Sequence, residues 1–308
     1  MLKSLFRALA AVTVVALVAP LVGCNGARDD AVNALNKNGK TGFLVKEHKR
    51  ASGEVRRYGM FVPNSYAKSI KYPVIIFLHG VGEGGSDARS NLRVGLAPFV
   101  ADRANSFPFI VIFPQSSGGG WSASGAEADD IIGILNTVSK EYNVDMDRVS
   151  LTGLSTGGYG TWAIGAKYAN TFAALAPMGS SSAIGDTEAK MLADAKIPIR
   201  AYANPGDMFA GMGLNDPGMV ERVKKYGGKA EFLDDVRGSG HNIWDPVYSD
   251  GRLFNWLLTQ RLSARGVKPN TVTAAPARAT SNATPAQPSV STPAKTTSSS
   301  AIIPATPY

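Results

Sequence analysis

The segment LTGLSTGGYG (151–160) carries the clearest structural signal of this chain, because it places a serine among glycines directly after an apolar run. It contains the only G-x-S-x-G match in the sequence, from Gly153 to Gly157, with Ser155 at its centre. A nucleophile at the apex of a tight strand-to-helix turn has strained backbone angles, and glycine neighbours let strand and helix approach each other. The stretch therefore predicts a nucleophilic serine on such a turn; the alternative is a flexible glycine-rich loop.

A serine hydroxyl is a weak nucleophile and needs a base, for which the chain offers three histidines. His48 lies in the charged segment KEHKR, which is typical of a surface residue, and His79 directly follows an apolar strand segment. His241, in GSGHNIWDP, lies between the last predicted strand and the last predicted helix. This position matches the order serine, acid, histidine. His241 is the predicted base; the alternative is a loop histidine that caps the last helix.

The acid of such a triad is expected on a loop between the nucleophile and the base. Asp207 lies just beyond the predicted strand 197–203, in a turn marked by Pro205 and Gly206. A carboxylate there could hold the histidine tautomer and stabilise the imidazolium. The rival acids are Asp186, Asp216, Asp234 and Asp235.

An oxyanion hole needs two backbone N–H groups that point at the developing negative charge. We expect one from Thr156, which follows the serine, and the other from Val81 in the loop HGVGEGG (79–85) after an early strand. His79 would then fix that loop. The loop also matches the dinucleotide-binding pattern G-x-G-x-x-G, but that alternative explains neither the serine nor the late histidine.

Strand and helix segments alternate along residues 43–263. The apolar runs VIIFL (74–78) and FIVIF (109–113) indicate strands buried on both faces of a parallel sheet. Further strands are predicted at 56–63, 148–153, 172–178, 197–203 and 229–235. The alternation predicts an α/β fold with a mainly parallel central sheet and helices on both faces. No long insertion suggests a lid, so no large lid is expected.

Four helices are predicted, three between these strands and one after the last of them. One begins near Ser124 and Glu127, a possible capping box. Others follow Ser155, precede Tyr226 and span 252–262.

The net charge of +8 is located at the two ends of the chain. Six of the excess positive charges lie in residues 251–308 and two in the first seven residues, so residues 24–250 are formally neutral. The basic balance therefore gives no reason to expect nucleic acid as a partner of the folded domain. Three dispersed histidines and one cysteine cannot build a His/Cys zinc site, and we expect neither a metal nor a cofactor.

The two ends have compositions unlike that of the centre. A basic start followed by an apolar run predicts an export signal over residues 1–23. The segment LVGC (21–24) resembles a bacterial lipobox, which implies lipidation of Cys24 and a tether over 24–42; the alternative is an ordinary secretory signal cleaved nearby. Residues 264–308 are rich in Thr, Ala, Pro and Ser, which predicts a disordered tail.

Three segments together resemble the α/β-hydrolase superfamily over nearly all of 43–262. They are FLHGVGEGG (77–85), DMDRVSLTGLSTGGYGTW (145–162) and GHNIWDPVY (240–248). Within the superfamily the sequence looks like bacterial secreted esterases of the feruloyl, acetylxylan and polyhydroxybutyrate-depolymerase type, and like related "predicted peptidase" lipoproteins. A methionine commonly follows the nucleophile in these families; Thr156 is a departure that leaves the backbone donor intact.

The resemblance implies a serine esterase that works through an acyl-enzyme, with Ser155 as nucleophile, Asp207 as acid and His241 as base. We expect small-molecule or polymeric esters as substrates, a monomer, and anchoring to the cell envelope, at the outer membrane or cell surface. Trp121 and Trp244 are candidate substrate contacts, with packing as the alternative. A serine peptidase with the same triad and a non-catalytic binding protein on a hydrolase fold are the rival functions.

Overall fold

An open eight-stranded β-sheet organises the residues that the computed structural model describes, which are 30–36, 39–207, 216–236, 238 and 240–269. The strands are β1 Gly42–Lys49, β2 Val55–Val62, β3 Tyr72–Leu78, β4 Ile110–Phe113, β5 Val144–Leu154, β6 Ala174–Met178, β7 Ile199–Tyr202 and β8 Ala230–Leu233. The α-helices of these residues are α1 Asp30–Asn33, α2 Leu96–Ala101, α3 Ala126–Glu141, α4 Thr156–Lys167, α5 Asp186–Asp194, α6 Asp216–Lys225, α7 Trp244–Asp250 and α8 Arg252–Thr259.

Most of the predictions for the two chain ends concern residues outside these described ranges. The predicted signal peptide (1–23), Cys24 and the predicted tail from residue 270 onward lie outside the described residues.

The strand order is β1-β2-β4-β3-β5-β6-β7-β8, and its reversal at β3 predicts a crevice at the edge where the parallel strands end. Strands β3 to β8 run parallel to one another, and β2 alone of the eight runs in the opposite direction, antiparallel to both of its neighbours β1 and β4. The chain passes from β3 to β4 on one side and returns to β5 on the other side of β3. Ligands of open α/β sheets bind at the carboxyl ends of strands where the order reverses in this way. Leu78 and Leu154 end β3 and β5, so HGVGEGG and the Ser155 turn meet at this crevice.

The predicted α/β fold is confirmed, and the sequence misses some of its elements. Strand β1 pairs with β2 over its whole length, although GFLVKEHK carries four charged or histidine side chains. His48 in β1 is half-buried against Gly133 of α3, where an added Cβ would lie 2.6 Å from the imidazole, so the surface interpretation holds only in part. The predicted capping box is wrong, because α3 begins at Ala126 with Gly125 as its N-cap.

Two apolar layers cover the two faces of the sheet. Helices α3 to α6 supply one layer, in which Ile131, Leu135, Trp162, Leu192 and Val223 are fully buried. Helices α2, α7 and α8 supply the other, where Phe254 stacks on Phe99 with ring centroids 4.9 Å apart and meets Phe107 at 5.0 Å. The predicted helices on both faces are therefore present, and burial of this apolar area is the main favourable term in folding.

Hydrogen bonds from Arg265 attach the C-terminal end of the described residues to the rest of the domain. Arg265, in the 3-10 helix Ser263–Arg265, donates from Nη1 to the carbonyl of Ala195 at 2.6 Å. Its Nη2 donates to the carbonyls of Ala169 and Phe172 at 2.8 and 2.6 Å. The folded contacts thus continue past the predicted boundary at residue 263, and they reach the loops that precede β6 and β7.

Replacing Arg265 by methionine is expected to lower the free energy of unfolding by about 2 kcal/mol, because three charge-assisted hydrogen bonds are lost while the aliphatic stem keeps its packing. Urea unfolding measures the change. Arg261→Met is the matched control, since its guanidinium is exposed and lies 4.0 Å from the carboxylate of Asp145. Equal stability of the two variants would contradict a stabilising role for the three Arg265 hydrogen bonds.

Candidate active site

Ser155 lies on the predicted sharp turn between β5 and α4. Its backbone angles are φ 56° and ψ −117°, a region that side-chain-bearing residues rarely adopt. An added Cβ on Gly157 would lie 2.1 Å from the carbonyl oxygen of Leu78, and one on Gly153 would lie 2.4 Å from the carbonyl oxygen of Gly157. Both positions therefore require glycine, and the flexible-loop interpretation of this stretch is wrong.

The predicted base and acid are hydrogen-bonded to each other. His241 Nδ1 lies 2.7 Å from Asp207 Oδ2, although 34 residues separate them in the chain. Asp207 is 5% exposed, so its carboxylate is shielded from water while it accepts this bond. A carboxylate on Nδ1 leaves the Nε2 lone pair of the neutral imidazole available as a base.

Asn204 joins the loops that carry these two residues, and sequence reasoning misses it. Its Nδ2 donates to the carbonyl of Gly240 at 3.0 Å, and its Oδ1 accepts from the N–H of Gly238 at 2.8 Å. Its own carbonyl accepts from the N–H of Asp207 at 3.0 Å. The turn ANPGD contains the asparagine as a visible signal, but nothing in the sequence shows that it reaches the histidine loop.

Ser155 and the Asp207–His241 pair meet around the end of β6. The N–H of Ser155 donates to the carbonyl of Met178 at 3.0 Å, next to Gly179. An added Cβ on Gly179 would lie 3.5 Å from both Asp207 Oδ2 and His241 Cε1. The structure thus brings the three predicted residues to one corner of the carboxyl edge of the sheet.

His79 fixes the loop after β3. Its Nδ1 donates to the carbonyl of Gly80 at 2.6 Å, and its Nε2 accepts from the N–H of Ser116 at 3.0 Å. Burial lowers the pKa of His79 to about 4, so the imidazole is neutral. Both ring nitrogens are used, which agrees with a structural role for this residue.

A buried neutral His79 makes stability fall as the pH falls. The ordinary pKa of 6.5 describes the unfolded chain, so between pH 6.5 and about 4 the unfolded state binds the proton first. We expect about 2 kcal/mol of unfolding free energy from this residue to be lost between about pH 7 and pH 5. Urea unfolding at both pH values should show this loss in the parent and not in His79→Gln. Equal losses in the two proteins would contradict it.

The two predicted oxyanion donors are the first residues of two helices that follow β3 and β5. Val81 is the first residue of the 3-10 helix Val81–Glu83, and Thr156 is the first residue of α4. An N–H at the first helical position has no acceptor within its own helix. Gly119 links the two: its carbonyl accepts from Thr156 Oγ1 at 2.7 Å, and an added Cβ on it would lie 2.4 Å from the carbonyl oxygen of Val81. The Thr156 side chain therefore anchors the start of α4 to Gly119, next to the backbone N–H that the sequence predicts as an oxyanion donor.

The two tryptophans differ in position. Trp121 is 3% exposed, and its Nε1 donates to the carbonyl of His79 at 2.9 Å, which favours packing over substrate contact. Trp244 is half-buried, with its ring edge-to-face on the imidazole of His241 at a centroid distance of 5.2 Å. Of the two, Trp244 alone lies directly against a residue of the predicted triad.

The rival acids have other partners. Asp186 lies within 3.6 Å of Arg222 and Lys225 in exposed ion pairs, and Asp235 pairs with Arg252. Asp216 is completely buried beside Ser180.

The chain is similar in sequence and in structure to several known esterases and to one peptidase family. The model of the prolyl oligopeptidase family matches residues 121–227. A bifunctional acetylxylan esterase/xylanase of Neocallimastix patriciarum is 28% identical over 149 residues, which are 47% of this chain and 21% of that protein. Feruloyl esterase D of Neurospora crassa is 26% identical over 209 residues, or 64% of each chain. A solved thermostable esterase has a TM-score of 0.62 at 27% identity, covering 71% of this chain and 63% of the other.

The chain spans about a fifth of the first relative and less than two thirds of the other two. The resemblance drawn from the sequence motifs is confirmed by the family match, the relatives and the shared architecture. The chain therefore has the α/β-hydrolase fold, and it is similar in sequence to acetylxylan and feruloyl esterases.

Proposed function

We propose that the chain is a serine carboxylic ester hydrolase that works through an acyl-enzyme. The observation that carries the proposal is the Asp207–His241 hydrogen bond of 2.7 Å, at the corner where the strained Ser155 turn also lies. This is the arrangement that activates a serine hydroxyl.

In the proposed reaction Ser155 Oγ attacks the ester carbonyl carbon, and His241 takes the hydroxyl proton. Asp207 orients the imidazole and stabilises the imidazolium. The N–H groups of Val81 and Thr156 donate to the negatively charged oxygen of the tetrahedral intermediate. His241 then returns the proton to the leaving alcohol. Water then attacks the acyl-enzyme while His241 takes one of its protons, and His241 gives that proton to Ser155 Oγ as the carboxylic acid leaves with the water's hydroxyl group.

For the substrate we propose esters of plant or polymer material, of the acetyl, feruloyl or hydroxyalkanoate type. The names of the similar proteins support the acetyl and feruloyl members of this set. The side chain of Val81, which is 66% exposed, offers an apolar contact beside the proposed oxyanion hole. Trp244 could add an aromatic contact next to His241.

A panel of p-nitrophenyl acyl esters, methyl ferulate, acetylated xylan and peptide p-nitroanilides tests the proposal on the full chain. We expect ester turnover, with covalent labelling of Ser155 by a fluorophosphonate. Turnover of peptides without turnover of esters would favour the rival peptidase, which the match to the prolyl oligopeptidase family supports. Absence of labelling and of all turnover would favour the non-catalytic binding protein.

We also propose that the protein is exported as a monomer and anchored by a lipid on Cys24. The support is the LVGC segment after a basic and apolar start. Within the described ranges no helix is long and apolar enough to cross a membrane. Palmitate labelling in a bacterial host that expresses the parent and Cys24→Ala tests the anchor: label in the parent alone supports it, and label in neither contradicts it.

A further inference from the structure

A buried carboxylate lies behind the candidate site, and the proposed mechanism does not use it. Asp216, the first residue of α6, has no exposed surface. Its Oδ1 accepts from Trp162 Nε1 at 2.8 Å and from Ser180 Oγ at 2.7 Å, and its Oδ2 accepts from the Ser180 N–H at 2.9 Å. Burying a carboxylate is costly unless it is hydrogen-bonded, and here both oxygens have donors.

The donors around Asp216 favour its charged form. The Trp162 and Ser180 N–H groups can only donate, so they fit a carboxylate better than a protonated acid. Burial nevertheless raises the pKa of Asp216 above its ordinary value, against the lowering effect of the three hydrogen bonds, and repulsion from Asp207 adds to the increase.

Asp216 holds a short loop that contacts all three residues of the proposed triad. The loop is Gly179–Ser181, with Ser180 at its centre bonded to Asp216. On one side of Ser180, Gly179 lies against the Asp207–His241 pair, as its Cβ position shows. On the other side the N–H of Ser181 donates to the carbonyl of Ser155 at 3.1 Å.

The same carboxylate also holds the nucleophile helix. Trp162 lies on α4, whose first residue supplies the proposed oxyanion donor Thr156. Helix α4 and the loop are in close contact, since an added Cβ on Gly158 would lie 2.8 Å from Ser180 Oγ. One buried side chain thus connects the nucleophile, the oxyanion donor and the acid–base pair.

We propose that Asp216 is a positioning residue for the reaction, fixing the loop Gly179–Ser181 and α4 so that Ser155 and the Asp207–His241 pair face each other. The proposal rests on the proposed serine hydrolase function. Displacement of reacting groups by about 1 Å can lower turnover about a hundredfold. A negative charge at Asp216 also favours the imidazolium that His241 forms during turnover.

The test compares Asp216→Asn with the parent, using p-nitrophenyl acetate as substrate. In the variant an amide N–H must face one of the donors. We expect kcat to fall about 10- to 100-fold while KM changes less than about threefold. We also expect the acid limb of the kcat/KM profile to move to lower pH. Asp186→Asn is the matched control: it removes ion pairs to α6 but leaves the loop untouched.

If Asp216→Asn does not fold, two milder variants test whether Asp216 positions the residues of the proposed triad. Ser180→Ala and Trp162→Phe each remove one donor and keep the carboxylate; each is expected to lower kcat about 3- to 10-fold at unchanged KM. A folded Asp216→Asn with parental kcat and pH profile would overturn the proposal, as would parental kcat in both milder variants. A parent protein that neither turns over esters nor reacts with fluorophosphonate would refute the serine hydrolase itself, a result separable from these.

Discussion

Ser155→Ala is expected to lower kcat/KM for p-nitrophenyl acetate by about 10⁴- to 10⁶-fold, the scale seen when a serine nucleophile is removed. The change deletes the only atom that forms the acyl-enzyme and leaves His241, Asp207 and the backbone donors in place. Any residual rate would come from binding and the oxyanion hole. Steady-state kinetics and fluorophosphonate labelling measure the loss.

The variant is expected to fold, because alanine fits the same turn without a new contact. Ser69→Ala is the matched control, since Ser69 is exposed and lies in the loop before β3, at the opposite edge of the sheet. Labelling that persists in Ser155→Ala and disappears in another serine variant would show that a different residue is the nucleophile.

Asp207→Asn is expected to lower kcat by about 10⁴-fold at nearly constant KM. An amide in place of the carboxylate can donate to His241 Nδ1, which reverses the tautomer and places the proton on Nε2, where the serine proton must go. Because Asp207 Oδ2 lies 2.7 Å from His241 Nδ1, the substituted amide would contact the same ring nitrogen. Stopped-flow acylation and steady-state kinetics measure the effect.

Asp194→Asn is the control for this substitution, because Asp194 is exposed and pairs only with Lys190 among the ion pairs of the described residues. A loss below tenfold in a correctly folded Asp207→Asn would exclude Asp207 as the orienting acid. Asp216 would then be the carboxylate to examine, since it lies beside the same corner.

The sequence predicts the centre of the fold well because its signals there are local. The Ser155 turn is set by glycines that directly contact neighbouring backbone, and the apolar runs of β3 and β4 identify buried parallel strands. The pairing of Asp207 with His241 follows from chain order and strand ends.

Other features depend on long-range contacts that leave little trace in the sequence. Strand β1 is an edge strand whose outward side chains are charged, so its apolar periodicity is weak. Asn204 and Asp216 act through partners more than thirty residues away. In the sequence Asp216 is one of several aspartates, and only its burial reveals that it differs from them.

The antiparallel β1–β2 hairpin also determines the edge of the sheet at which the chain enters it. Because Gly42 pairs with Val62, the chain enters the sheet at the edge where the parallel strands begin. Arg265 binds carbonyls in front of β6 and β7, so the chain also leaves at that edge. Ser155, Asp207 and His241 lie at the opposite edge. A tether at either end, such as the lipid proposed on Cys24, would therefore join the sheet at the edge opposite the candidate active site.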